Sequence, residues 1–454
     1  MKRLYSALIV GVFAAAVTAL PAASTLAASG GLSATDSNEI STSYQHLTTD
    51  FYKKVDDQTV LNSVRAKLLF ALKSAGVTHP SLAPMQSNEA PGANVRTIDR
   101  AIASATAQSR GKLSDDQMTY AAIDGMMGSV NDRYTVFLNA KEYAGLNEDL
   151  DGGDFGGTGI VIQIDDSTKY ISVENIVPDG PADKAGVQQD DLITAIDGVS
   201  TKGITVQQAS AKLRGKEGTS VSLTLSRDGA AQPPLAITRA KIHELSVYEK
   251  MFPGKIGYVE LTVFGRDTGA ELNAALTRLQ QQGARAIIMD LRDNGGGYLD
   301  AAVAVSSKFI SSGPIVSVES RASNITTLDA DDTAIDPLPL VVLVNQYTAS
   351  ASEITSGAIQ DSGVGTIMGT KTFGKGVVQT IFPLGDNKSA IKITTARYLT
   401  PHNRDINHLG ISPDVPVAEN KHAQFGVPAK DDQLEHALQF VTQKIALLDK
   451  ENGV

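Results

Sequence analysis

The spacing of apolar positions changes character along the chain. Between 41 and 76, Val60, Val64, Leu68 and Leu72 recur at near-helical intervals and predict helix. Residues 29–40, opening Ser29-Gly30-Gly31, read as a linker, and His79 to Asn94, rich in Pro, Gly, Ser and Asn, as a loop. Further helices are expected from about Thr97 to Thr106 and from Ser114, the latter carrying Met118, Ala122 and Gly125. At Phe155 to Ile160 a Gly-rich turn enters a strand. Beyond Lys241 strand-like runs alternate with helical ones. Ile256 to Leu261 and Ala286 to Leu291 are strands, and between them Thr268 to Gln282 puts Leu272, Leu276 and Leu279 on one helix face, closed by Gly283. Strand–helix alternation predicts an α/β sheet with its chemistry at strand ends. A last helix, Gln433 to about Leu448, carries Leu434, Leu438, Val441 and Ile445 on one face and takes Asp432 and Glu435 as caps.

The most informative stretch is Val341 to Gln379. Leu340 to Val344 has the length and β-branched content of a buried strand, and a helical pattern follows through Asp361. Ser350 therefore falls on a strand-to-helix turn. Downstream, Lys375 stands between Gly374 and Gly376. A hydroxyl attacks poorly until a base takes its proton. Lysine can be that base only when neutral, which an unshifted amine is in about one molecule in 2,500 at pH 7. The amine must therefore be buried, and Phe373, Val377 and Val378 are apolar neighbours able to bury it. Two other readings use the same residues. Ser350 and Glu353 spell S-x-x-E, a helix capping box. Gly369 to Lys375 spells G-x-x-x-x-G-K, a phosphate loop, but Gly376 replaces the metal-binding hydroxyl and the next residues look like a strand, not a helix.

Composition narrows the function classes. A net charge of −10 with both signs mixed argues against a nucleic-acid partner. No cysteine is present, so disulfide and thiolate chemistry are excluded, and the seven histidines show no ligand spacing, so no metal site and no cofactor are predicted. Met1-Lys2-Arg3, the apolar run Leu4 to Leu20 and the small residues after Pro21 form a secretory signal pattern with cleavage near Ala27 or Ala28. The alternative is an uncleaved anchor, the one route to membrane contact. Either way the remainder is expected outside the cytoplasm, periplasmic or secreted.

Thr348-Ala349-Ser350-Ala351-Ser352-Glu353, with Phe373-Gly374-Lys375-Gly376 and Gln379, resembles the carboxyl-terminal processing proteases, or tail-specific proteases. The resemblance implies Ser350 as nucleophile, Lys375 as general base and Gln379 as the residue orienting the lysine. It extends to Arg292-Asp293-Asn294-Gly295-Gly296-Gly297, where Gly297 would give an oxyanion-hole N–H beside that of Ala351 at a helix N-terminus. Gly125 to Leu138 is similar to the family's segment before its PDZ domain; Arg133 stands where proline is common, and the segment reads as packing. Gly180 to Val187, then Asp190 to Gly198, with the earlier Gly-rich turn, resembles a PDZ domain. Gly157, Thr158, Gly159 and Ile160 match its carboxylate-binding loop, Thr158 replacing the usual apolar residue, and the helix with Val206, Ala209 and Leu213 would line the other wall. Arg214, at that helix's end, is a regulatory candidate. Thr400-Pro401, Asp405-Ile406, Gly410-Ile411 and Pro413-Asp414 match the family's closing segment, and His402 and His408 read as surface residues.

The expected organisation is a multidomain α/β protein: signal peptide 1–28, linker and helical region 29–150, PDZ domain 151–240, protease core 241–425 of the crotonase-like or ClpP-like type, and C-terminal helix 426–454. The expected function is a serine endopeptidase that captures exposed apolar C-termini of proteins or peptides and cuts through a Ser–Lys acyl-enzyme. An adaptor or a homo-oligomer fits this reading. A catalytically silent PDZ scaffold is the competing class. An acyl-CoA enzyme on the related crotonase core has no supporting motif.

Overall fold

The computed structural model describes residues 11–13 and 32–451, apart from 152–154, 166, 178–179, 243–244, 322–323 and 421–422. The signal-peptide cleavage point thus lies outside the described residues. The chain divides into two compact units, one built from residues up to Leu146 together with Val247 onward, the other from Asn147–Ser246.

The larger unit centres on a six-stranded sheet in the order Val247–Phe252, Ile256–Leu261, Ala286–Asp290, Leu340–Val344, Thr366–Gly369, Val415–Pro416. All pairs are parallel except the first. Both faces are covered, so the strands read as continuous apolar runs. Successive residues still take opposite sides. Val342 and Val344 pack under the helices Thr268–Gln281, Leu299–Ser306 and Ala351–Ser362. Val341 and Leu343 meet Leu434, Ala437, Val441 and Ile445 of the last helix, Asp432–Glu451. That helix is capped by Asp431, whose carboxylate accepts the Leu434 N–H at 3.1 Å, not by Asp432 as its pattern suggested.

A second sheet joins Val377–Pro383 to Ala390–Leu399, then Pro314–Ser320 and Ile325–Asp329, with Val136–Leu138 also on Ala390–Leu399. On its other side Gly11–Phe13 runs parallel between Gly297–Tyr298 and Val377–Pro383. Four helices, Ala34–Asp50, Asp57–Ser74, Pro91–Ser109 and Asp115–Gly128, form a separate apolar cluster that includes Leu384, Ile391 and Ile393. The first of them starts inside the stretch read as a linker, and Phe51 to Asp56 interrupts what periodicity read as one helix.

The smaller unit is a five-strand sheet path, Leu235–Thr238, Ser220–Arg227, Leu192–Ile196, Ile171–Ile176, Ile160–Ile164, with helices Pro181–Lys184 and Val206–Leu213. Ile160–Ile164 ends that path, leaving one of its edges unpaired within the sheet. Ala209 and Leu213 of the second helix are buried in this unit's own core.

One buried ion cluster ties the last helix to the larger sheet. The Arg292 guanidinium bridges Asp290 and Asp431, and the Tyr258 hydroxyl donates to Asp290 at 2.7 Å. Arg292→Met strands two carboxylates in the interior. It should cost about 3–5 kcal/mol in urea unfolding, and an unchanged midpoint would contradict the account.

Candidate active site

Ser350 ends the turn that follows Leu340–Val344 and N-caps Ala351–Ser362. Its φ of 57° and ψ of −117° lie where side chains are rarely held. Such strain, about 1–3 kcal/mol, persists only where surrounding structure imposes it. Here the restraints are explicit. Ala349 donates its N–H to the Asn294 carbonyl at 3.0 Å, and the Ser352 hydroxyl donates to the same oxygen at 3.1 Å. The Ser350 side chain is buried, and Oγ has no hydrogen-bond partner among the described residues. Only half of the S-x-x-E capping pattern operates, because the hydroxyl is left out of it.

Glu353 supplies that half and more. Its Oε2 accepts the N–H of Ser350 and the N–H of Lys375, both at 2.9 Å. Its Oε1 accepts the Thr372 hydroxyl at 2.6 Å and the Gly374 N–H at 2.7 Å. The carboxylate thus fastens the serine turn to the lysine loop. Tyr398 braces the same junction, its hydroxyl lying between the carbonyls of Ser350, at 3.2 Å, and Lys375. Burial raises the Glu353 carboxyl above its ordinary range against these four hydrogen bonds.

Lys375 is wholly buried. Desolvation holds its amine well below the ordinary lysine range, and the nearby positive charge of Lys392 acts in the same direction. Its Nζ sits 4.9 Å from the Tyr134 ring centroid. Of the expected apolar neighbours, Val377 and Val378 are buried, but Phe373 is exposed and lies under the Arg133 guanidinium, 5.3 Å away. The segment read as mere packing therefore reaches the lysine.

Gln379 is buried on the following strand, opposite Thr394, with a register irregularity between Val378 and Gln379. Its Nε2 donates to Thr394 Oγ1 at 3.3 Å, while Oε1 has no partner among the described residues. Gly296 and Gly297 have φ of +100° and +153°. A methyl on Gly296 would lie 2.8 Å from the Ala351 nitrogen and from Ser350 Cβ, so only glycine lets this turn abut the serine. Ala351 is the first residue of its helix, and its N–H has no intrahelical acceptor.

In the smaller unit the carbonyls of Thr158 and Gly159 accept N–H groups of Ala182 and Val177, both at 2.9 Å. Arg214 lies 3.8 Å from Glu148, and both side chains are exposed. His402 is exposed, as its sequence context suggested. Among the described residues no group of His, Asp or Glu could hold a metal ion.

Comparison with known proteins places this geometry. Residues 255–417 match peptidase family S41 and residues 172–227 match the PDZ domain. A carboxyl-terminal-processing protease from a Picosynechococcus species is 37% identical over 334 residues, 72% of this chain and 80% of the relative. The chain belongs to this family. A Synechocystis relative of the same description is 36% identical over 349 residues, 75% of this chain and 81% of its own length. A solved photosystem II D1 C-terminal processing protease is 30% identical, covering 85% of this chain and 94% of that one, with a TM-score of 0.46. As an S41 member the chain is a serine-type peptidase of the C-terminal-processing kind, with a PDZ domain in addition to an α/β protease core. The silent-scaffold alternative has no support from these relatives. Glu353, Thr372 and Tyr398 were missed as site residues. The S-x-x-E spacing was the available signal for Glu353, but it was read as a local cap.

The buried amine has a measurable cost. Because the folded pKa of Lys375 lies below the unfolded one, the unfolded chain holds a proton the folded chain lacks between the two values, and stability rises with pH across that window. Lys375→Met should therefore raise Tm by a few degrees near neutral pH. The gain should fade as pH approaches the ordinary lysine value of about 10.4. A melting temperature lowered at pH 7 would oppose this.

Proposed function

We propose that this S41 peptidase works by a Ser350–Lys375 dyad. Lys375, kept neutral by burial, takes the proton from Ser350 Oγ. The alkoxide attacks the scissile carbonyl, and the N–H groups of Gly297 and Ala351 stabilise the oxyanion. Lys375 then returns the proton to the leaving amine, and water releases the acyl-enzyme. Gln379 orients the lysine. The observation that carries this reading is the Glu353 carboxylate, which binds the backbone of the buried, strained serine and of the buried lysine at once.

The smaller unit captures the substrate's end. The Gly157-Thr158-Gly159-Ile160 loop leads directly into the edge strand Ile160–Ile164, and its Thr158 and Gly159 carbonyls are engaged inside the unit. That arrangement suits N–H groups cradling a terminal carboxylate while the apolar tail adds as a strand. Arg214 tunes turnover from the end of Val206–Leu213. The basic start and apolar run through Leu20 support export from the cytoplasm. No helix of the described residues is long and apolar enough to cross a membrane.

Ser350→Ala should lower kcat on a tail-exposed protein substrate about 1,000-fold or more with its far-UV spectrum unchanged; full residual activity would end the assignment. Capture is tested separately with a peptide substrate of apolar C-terminus. Amidating that terminus should raise KM about tenfold at constant kcat, and indifference to amidation would remove the loop's role.

A further inference from the structure

Gln379 presents a choice that its own strand does not settle. An amide side chain can be turned either way, offering its carbonyl or its NH2 to a given neighbour. Three residues distant in sequence make the choice. The Thr394 hydroxyl lies 2.5 Å from Asp132 Oδ2 and 3.3 Å from Gln379 Nε2. A carboxylate has no proton to give, so Thr394 must donate to Asp132. Its one proton is then used, and its oxygen can only accept. Gln379 must therefore turn its NH2 toward Thr394, which sends Oε1 the other way. That carbonyl oxygen is buried and has no partner among the described residues.

Asp132 is itself fixed. Its Oδ2 also accepts the Thr135 hydroxyl at 2.7 Å, and Thr135 Oγ1 accepts the backbone N–H of Thr394 at 3.1 Å. The carboxylate is thus locked to the strand that faces Gln379. Its charge also reaches the lysine, favouring the protonated amine against the stronger effect of burial.

We propose that Asp132 is a positioning residue for catalysis, acting through Thr394 to hold the Gln379 carbonyl as the acceptor awaiting protonated Lys375. The inference rests on the Ser350–Lys375 reading. When Lys375 takes the serine proton, a cation forms in a buried pocket. On that reading, in which Gln379 orients the lysine, a carbonyl offered to the new cation lowers the cost of that step, whereas an inverted amide would meet it with N–H groups. The effect belongs to the chemical step, not to substrate capture.

The test is steady-state cleavage of a denatured protein substrate by the full chain. Asp132→Asn lets Thr394 reverse its hydroxyl and Gln379 invert. Thr394→Val removes the relay with little change in shape, and Thr394→Ser keeps it. Asp132→Asn and Thr394→Val should lower kcat about tenfold to a hundredfold with KM within about twofold, and Thr394→Ser should stay within about threefold of the native enzyme. Adding Asp132→Asn to Gln379→Met should lower kcat no further than Gln379→Met alone. If Asp132→Asn does not fold, the valine and serine variants at 394 decide. Native kcat in Thr394→Val, equal losses in Thr394→Val and Thr394→Ser, or independent multiplication of the Asp132 and Gln379 losses would each overturn the proposal. Lys375→Met separates the two readings. If it is inactive while Thr394→Val is normal, only the Asp132 role fails; if it is active, the dyad fails and the Asp132 role with it.

Discussion

The site depends on one buried carboxylate with four donors on it. Ser350 and Lys375 lie on separate loops that follow different strands, and nothing in either loop dictates the position of the other. Glu353 removes that freedom by taking the N–H of Ser350 on the same oxygen as the N–H of Lys375, with Thr372 and Gly374 on the other. Charge-assisted hydrogen bonds are the strong ones, and a donor left unpaired in the interior is costly. The four bonds therefore stand or fall together, which makes the junction rigid. Tyr398, spanning the two carbonyls, stiffens it from another strand.

Two features of the site work against stability. Ser350 holds a backbone conformation that side chains disfavour, and Lys375 is a fully buried amine whose charged form is disfavoured. Lys392, also buried, has its amine lowered by desolvation while Asp132 opposes the shift. These costs are offset by the apolar cores on both faces of the central sheet, which are independent of the chemistry. The same opposition explains why the site lies at strand ends, where loops can depart from ideal geometry without disrupting the ladder.

Recognition and cutting make different physical demands. A chain terminus is recognised by backbone donors and an open strand edge, which a small sheet with a Gly-rich turn provides. Peptide hydrolysis needs a dry, prearranged pocket, which only a large core can exclude water from. On the proposed reading these demands fall to the two compact units, one of about a hundred residues inserted in the other.

The elements that periodicity located, such as Leu340–Val344 and Thr268–Gln281, depend on local spacing and so were legible. The first two turns of the helix Ala34–Asp50 were not, because their buried face includes Asp36 and Glu39, which do not read as a core-facing stripe. The chemistry was legible as residue types in order: a serine on a turn, a lysine between glycines, a glycine-rich strand end. The partners of those residues were not. Glu353 looked like a local cap, Phe373 like a cover for the lysine, and Asp132 and Thr394, 262 positions apart, gave no sign of meeting. Spacing along the chain carries information about period and identity, which are properties of neighbours. The direction of a hydrogen bond in a buried pocket is set by which remote segments pack there, and that was decided only when the tertiary fold closed.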